Sequence, residues 1–281
     1  MCSQTATLPS AGFEMLPPIN DAISWPPPPE DWVDRLDVSP RGPGDPLGAQ
    51  SQKSVHVWVA SLQVLPEAQK ELAASLAPDE RERAARFHFP VHRARFIAGR
   101  GLLRKLLGNY LGIEPRSLEF SYGPQGKPTL RDSAGTLHFN VAHAEDLLLV
   151  AITRSGIVGV DVEQVRILAD VEELVARFFS PTECSQFRNL PAEQKPMSFF
   201  NLWTRKEAWL KATGEGITHL LNQVEVSFLP SEPARLLRLP EVYLKTMSWS
   251  LHKLEPSPDF VGALAIANNA AAIHCWRYQH G

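Results

Sequence analysis

The chain reads as a mixed helix-and-sheet protein, and three observations carry that reading. Short segments such as Val55-His56-Val57-Trp58-Val59 and Leu147 to Thr153 alternate or run apolar over five to seven residues, as strands do. Longer segments repeat their apolar residues at helical spacing. Both kinds occur in each half of the chain from residue 55 onward, with no detectable internal sequence repeat.

The elements follow in order. Val55 to Val59 is a strand. Pro78-Asp79-Glu80-Arg81-Glu82-Arg83 opens a helix, because proline suits the first turn and acids suit its dipole. A second helix spans about His92 to Leu111, with Phe96, Ile97, Leu102, Leu103, Leu106, Leu107 and Tyr110 on its apolar stripe and five basic residues elsewhere. Leu118 to Tyr122 is a strand, followed by a turn at Gly123-Pro124-Gln125-Gly126-Lys127-Pro128. Leu137 to Val141, Leu147 to Thr153 and Gly159 to Glu163 are further strands. Helices are expected at about 171–178, 181–189 and 193–213. Short strands follow at Val224 to Phe228, Met247 to Leu251 and Phe260 to Ala267.

Composition bounds the rest. At 281 residues the chain is long enough for about two domains and a sizeable core. Hydrophobic residues make 44% and charged residues 21%, which excludes full disorder, collagen and a coiled coil. Of the 24 prolines, ten fall in the first 46 residues, so residues 1–53 read as a Pro-rich, flexible extension that lacks the amide donors of regular structure. The body divides into residues 54–155 and 156–281. A net charge of −3 argues against a dedicated nucleic-acid partner, and no basic amphipathic stretch points to a membrane surface. The longest apolar run, Leu147 to Ile152, is too short to span a bilayer. No basic residue precedes Arg35, which makes the start a poor signal peptide. Cys2, Cys184 and Cys275 are widely separated, so a reducing, cytoplasmic setting is expected.

Familiar catalytic signatures are missing. The sequence has no G-x-x-x-x-G-K-[ST] loop, no G-x-G-x-x-G after a strand, no G-x-S-x-G elbow and no H-E-x-x-H helix. Three other constellations stand out. Asp161 and Glu163 lie two apart on a strand, so both carboxylates share one face while Val160 and Val162 enter the core. Such a pair repels unless a cation lies between, and a hard cation such as Mg²⁺ or Mn²⁺ prefers oxygen ligands. An acidic wet face on an edge strand explains the pair equally well. On the helix at 193–213, Phe199, Trp203, Lys206 and Leu210 form one stripe, with Phe200, Glu207 and Lys211 along its edge. An ordinary Glu–Lys surface pair is the plain alternative there. Lys127 sits in its Gly-Lys-Pro turn, and Asn140 and His143 end a strand; a structural hydrogen-bonding role is the common fate of a lone histidine.

Taken together, these residues resemble the Sfp-type 4′-phosphopantetheinyl transferases. Gly126-Lys127-Pro128 is similar to the family's Gly-Lys-Pro turn, and Phe139-Asn140-Val141-Ala142-His143 to its Phe-Asn-x-Ser-His block. Gly159-Val160-Asp161-Val162-Glu163 resembles its Gly-x-Asp-x-Glu strand. Phe178-Phe179-Ser180-Pro181-Thr182-Glu183 resembles the Phe-Phe-Ser…Glu segment. Trp203-Thr204-Arg205-Lys206-Glu207-Ala208, with Lys211, Gly214 and Gly216, resembles its Trp-x-x-Lys-Glu-Ala…Lys…Gly-x-Gly helix end. The Arg-rich stretch from Arg86 to Arg104 resembles the cyanobacterial-like members. The likeness spans about residues 55 to 270.

The resemblance implies an α+β fold of two similar halves related by a pseudo-twofold, with the active site at their interface. It implies transfer of the phosphopantetheine arm from coenzyme A to a serine of an apo acyl or peptidyl carrier protein, releasing 3′,5′-ADP, by a monomer. Carried over by position, Asp161, Glu163 and Glu207 would hold Mg²⁺, with Mn²⁺ as a substitute. Arg83, Lys127 and His143 would face the phosphoadenosine, with Asn140 shaping that pocket. Asp161 and Lys211 would face the pyrophosphate, and Lys211 would protonate the leaving side. Glu207 is the preferred base for the serine hydroxyl, with Glu163 or a metal-bound water next. Two departures stand out. Ala142 replaces a common serine, which removes one hydroxyl contact, and Glu80 replaces a lysine of some members, which is expected to weaken phosphate binding or leave it to Arg83. A CoA pyrophosphatase and a non-catalytic CoA- or carrier-binding module are the competing readings. The carrier is expected to dock near the 171–200 helices.

Overall fold

The computed structural model describes residues 54–131, 137–216, 220–268 and 272–279. The expected Pro-rich extension, residues 1–53, lies outside the described residues.

Four layers stack in the order helix, sheet, sheet, helix. The first sheet contains β1 (Ser54–Ser61), β4 (His138–Ala144), β5 (Leu147–Thr153) and β11 (Ala272–Arg277), in the order β11-β1-β5-β4. The second contains β6 (Val158–Gln164), β9 (Trp249–Ser257) and β10 (Phe260–Ala267), in the order β6-β10-β9. The fold is therefore α+β, with mostly antiparallel pairing.

Alternation along each strand builds the layers. Val55, Val57 and Val59 of β1 meet Val158, Val160 and Val162 of β6 in an apolar core between the two sheets. Trp58 and Ala60, on the opposite face of β1, pack on Leu102, Leu103, Leu106 and Leu107 of the long helix α3 (Pro90–Leu111). A strand buried on both faces reads as nearly continuous apolar sequence, which is why Leu147 to Thr153 is buried throughout. Helix α3 ends at Gly112, whose φ of +65° forms the left-handed cap that glycine accommodates best.

On the far side, α6 (Lys195–Thr213) lies across β6 and β10 in a second core with Ala263 and Ala265. The remaining elements are α1 (Pro66–Ala74), α2 (Pro78–Ala85), the hairpin of β2 (Phe120–Tyr122) and β3 (Pro128–Leu130), α4 (Val171–Phe178) and α5 (Pro181–Arg188). The β7–β8 pair (Glu225–Val226 and Leu236–Arg238) and α7 (Glu241–Leu244) complete the second half. Sequence reasoning passed over α1, which has few apolar residues, and β11.

β11 matters for the architecture. It runs parallel to β1, with Ser54 opposite Ala272 and Val59 opposite Arg277. The last strand of the second half thus leaves its own sheet and completes the first. A strand that crosses the seam ties the two halves together.

Candidate active site

The site is built where α6 touches β6, and Gly159 makes that contact close. A Cβ placed on Gly159 would stand 2.0 Å from Ala208 O and 2.4 Å from Ala212 N, inside the backbone of α6. Only a residue without a side chain lets the helix descend this far. Gly159, Asp161 and Glu163 share the helix-facing side of β6 by strand alternation, so the same approach carries Glu207 and Lys211 onto Asp161.

Lys211 Nζ donates to Asp161 Oδ1 at 2.6 Å. The second Asp161 oxygen, Oδ2, is buried and has no hydrogen-bond partner; neither has the buried Oε1 of Glu207. Buried polar atoms are normally paired, so two orphaned carboxylate oxygens at one place mark an unfilled requirement. The titration behaviour agrees. Burial, then the Asp161 charge, pushes the Glu207 carboxyl up to about 7; Lys211 opposes them and Glu163 adds to them. Burial and then Asp161 also raise Glu163, against the pull of Arg166. Burial raises Asp161 despite its bond to Lys211. Burial would depress the Lys211 ammonium, but Asp161 and then Glu207 and Glu163 hold it above its ordinary value.

Three carboxylates of raised proton affinity, two of them raised by the Asp161 charge, with unpaired oxygens and an ammonium beside them, suit a hard divalent cation. Among the described residues no three His, Cys, Asp or Glu side chains are already gathered around a metal position. Lys211 stands on the Asp161 oxygen instead.

The other expected residues fall in different places. Lys127 Nζ donates to Lys211 O at 2.6 Å and Ala212 O at 2.9 Å, capping the last turn of α6. Burial pushes this amine down to about 8. The turn that carries it is shaped by Gly126, at φ +77°. Asn140 joins the two sheets, since its Oδ1 accepts from Val160 N at 2.8 Å. That bond fixes β6, and so Asp161, against β4. His143 stands at the exposed end of β4. Desolvation, then the Lys211 and Arg95 charges, hold its imidazole below the usual range, while Asp161 acts oppositely. Arg83 is exposed on α2 with its guanidinium 5.3 Å from the Phe96 ring centre.

Both expected departures turn out to be packing features. Ala142 is buried between the sheets. Glu80 is 3% exposed and faces inward, where it accepts from Arg104 Nε at 2.6 Å, from Arg100 Nε and from Ala77 N at 2.9 Å. It therefore joins α2 to α3. Lys206 is a further surprise. Its place on an aromatic stripe conceals a fully buried ion pair to Glu183, whose other oxygen accepts from Val226 N at 3.1 Å. Lys206 Nζ also donates to Leu221 O at 2.6 Å. Periodicity showed the stripe but not this partner, which arrives from another helix.

A strand and a helix thus bring three acids and an ammonium together on the helix-facing side of β6. Residues 157–267 match the profile described as the 4′-phosphopantetheinyl transferase superfamily, and residues 58–155 match the profile described as 4′-phosphopantetheinyl transferase, N-terminal. The chain is 44% identical over 227 residues to the 4′-phosphopantetheinyl transferase HetI of Nostoc, covering 80% of this chain and 92% of HetI. It is 30% identical over 208 residues to the 4′-phosphopantetheinyl transferase psf-1 of Bacillus pumilus, covering 73% of this chain and 84% of the relative. A holo-(acyl-carrier-protein) synthase of Bacillus anthracis, solved with CoA (3′,5′-ADP), overlaps 40% of this chain and 96% of its own at TM-score 0.34 and 20% identity. The chain belongs to the 4′-phosphopantetheinyl transferase superfamily, and its expected likeness to the cyanobacterial-like members is borne out by HetI.

Proposed function

We propose that this enzyme moves the phosphopantetheine arm of coenzyme A to a serine of an apo acyl or peptidyl carrier protein and releases 3′,5′-ADP, with Mg²⁺ or Mn²⁺ as cofactor. The observation that carries the reading is the pair of orphaned buried oxygens, Asp161 Oδ2 and Glu207 Oε1, beside Lys211. The superfamily membership supplies the reaction class.

Asp161, Glu163 and Glu207 would hold the cation. Bound there, it would neutralise charge on the pyrophosphate oxygens. The chain's own groups do the rest. The serine Oγ forms a bond to the β-phosphorus of CoA, and the bond from that phosphorus to the 3′,5′-ADP oxygen breaks. Negative charge grows on the departing phosphate, and Lys211, kept protonated by its acidic neighbours, stabilises it and supplies a proton. Glu207 takes the serine proton. In the metal-free site burial and the Asp161 charge raise its carboxyl to about 7, so it takes up a proton readily. Glu163, partly exposed, is the alternative base. Arg83, Lys127 and His143 line the phosphoadenosine end, and Asn140 supports it through the β4–β6 seam. The reading also has the enzyme act as a monomer in the reducing cytoplasm, because one chain provides both halves and Cys184 and Cys275 are buried free thiols.

The test is direct. Purified protein, CoA and Mg²⁺ are incubated with several apo carrier proteins, and the carriers are weighed intact. One added phosphopantetheine arm, dependent on the carrier serine, is the expected result. No mass shift on any carrier would end the proposal, and 3′,5′-ADP release without a carrier would redirect it to CoA hydrolysis.

A further inference from the structure

Lys211 stands in the last turn of α6, since the helix closes at Thr213 and Gly214 follows with φ +82°. The final carbonyls of a helix lack an amide from a following turn, and such ends fray unless they are capped. Gly214 N closes one of them by donating to Leu210 O at 2.9 Å. Lys127 closes the next two, because its Nζ donates to Lys211 O at 2.6 Å and to Ala212 O at 2.9 Å. A cation is also the charge that the negative end of the helix dipole favours.

The clamp comes from a hairpin far away along the chain. Lys127 lies in the turn between β2 and β3, 84 positions from Lys211. Gln125 of the same turn lies against Gly216, where a Cβ would stand 3.1 Å from Gln125 Cγ and Oε1. Two residues of one turn thus hold the end of α6 and the loop that leaves it. The backbone of Lys211 is fixed by this turn, while its side chain reaches Asp161 Oδ1 at 2.6 Å. Two of the three ammonium hydrogens of the half-buried Lys127 are engaged by carbonyls, and a phosphate would have to displace them. Placement at a reacting centre is critical, since an error of about 1 Å costs up to about 10²-fold in rate.

We propose that Lys127 is a positioning residue for Lys211, and that its ammonium locks the last turn of α6 so that Lys211 stays aimed at the departing phosphate. The turn of Lys127 lines the phosphoadenosine end; its ammonium serves the helix. This rests on the transfer reading above.

Lys127→Met in the full chain, with CoA, Mg²⁺ and an apo acyl carrier protein, tests this. The kcat for carrier loading should fall about tenfold, while KM and equilibrium Kd for CoA stay within about twofold. In a Lys211→Ala background the same change should cost nothing further, because residues that act as a unit are not additive. Amides in the last turn of α6 should exchange with deuterium faster in Lys127→Met than in the wild type. Lys127→Arg keeps the charge and the donors in a different shape, so its kcat should fall less, and it carries the same kcat-against-KM comparison should the methionine variant not fold. Weaker CoA binding with unchanged kcat would give the ammonium to the donor and overturn the proposal. So would equal kcat losses in both backgrounds, or a lower melting temperature with full kcat in the folded fraction. Exchange needs no carrier: equal rates in wild type and Lys127→Met would overturn the clamp, whereas a wild type that loads no carrier would overturn the transfer reading.

Discussion

Two of the buried clusters of charge among the described residues, one around Glu80 and one around Asp161, are in opposite states. Around Glu80 two arginines and a backbone amide meet one carboxylate, and Arg104 Nη1 donates to Pro115 O and Leu118 O. Both guanidinium groups also stack over Phe120, at 4.1 and 5.1 Å. Burial alone would raise the Glu80 carboxyl, yet the bond from Arg104 and the charge of Arg100 carry it below its ordinary value. Around Asp161 the balance is reversed. Three acids face the Lys211 ammonium, with Arg166 reaching Glu163 alone; two oxygens have no partner, and all three carboxyls are raised. A satisfied cluster stabilises the fold; an unsatisfied one holds free energy that a ligand can release.

The contrast is broken most sharply at Glu207. Glu207→Gln should lower carrier loading by about 10²–10³-fold, in line with removal of one group that stabilises a transition state, while the melting temperature of metal-free protein stays level or rises. A large fall in melting temperature would move Glu207 into the structural class. Glu80→Gln should do the reverse. Stripping one partner from a buried ion cluster costs about 3–5 kcal/mol, or roughly 10 °C for a body of this size, with loading by the folded fraction retained at low temperature. Loss of loading without loss of stability would place Glu80 at the site.

Metal supplies the third handle. At one hundred times its dissociation constant, Mg²⁺ should stabilise the native chain by about 2.7 kcal/mol, visible as a rise in melting temperature that EDTA reverses. Asp161→Ala should abolish the rise, and Glu80→Gln should keep it. Acid titration gives the smallest effect. A carboxyl whose folded pKa lies below its unfolded value contributes stability that is complete above about pH 4.5 and is lost as the pH falls through the folded value. Melting of the wild type should therefore become more acid-sensitive below that pH than melting of Glu80→Gln. Parallel curves would show that the arginines do not hold Glu80 ionised.

Much of the sheet framework was legible because strand alternation is local. Leu147 to Thr153 and Phe260 to Ala267 match their observed strands residue for residue, since their burial follows from their own apolar runs. The helix at 193–213 and the pairing of Asp161 with Glu163 on one face were legible for the same reason. Long-range partners were not. Nothing within Trp203 to Lys211 indicates that Lys206 turns to Glu183 while Lys211 turns to Asp161. The inward bonds of Glu80 to Arg100 and Arg104 were not legible either, because helical spacing says which face a residue occupies but not what covers that face. β11 was passed over because its parallel partner lies more than two hundred residues away.

The sequence by itself determined which residues alternate, which recur at helical period, and which motifs stand in order, because these depend only on neighbours along the chain. The tertiary structure decided which charges are matched and which are left over. That difference depends on how closely α6 approaches β6 over Gly159 and how fully solvent is excluded there, and both are properties of packing between distant segments.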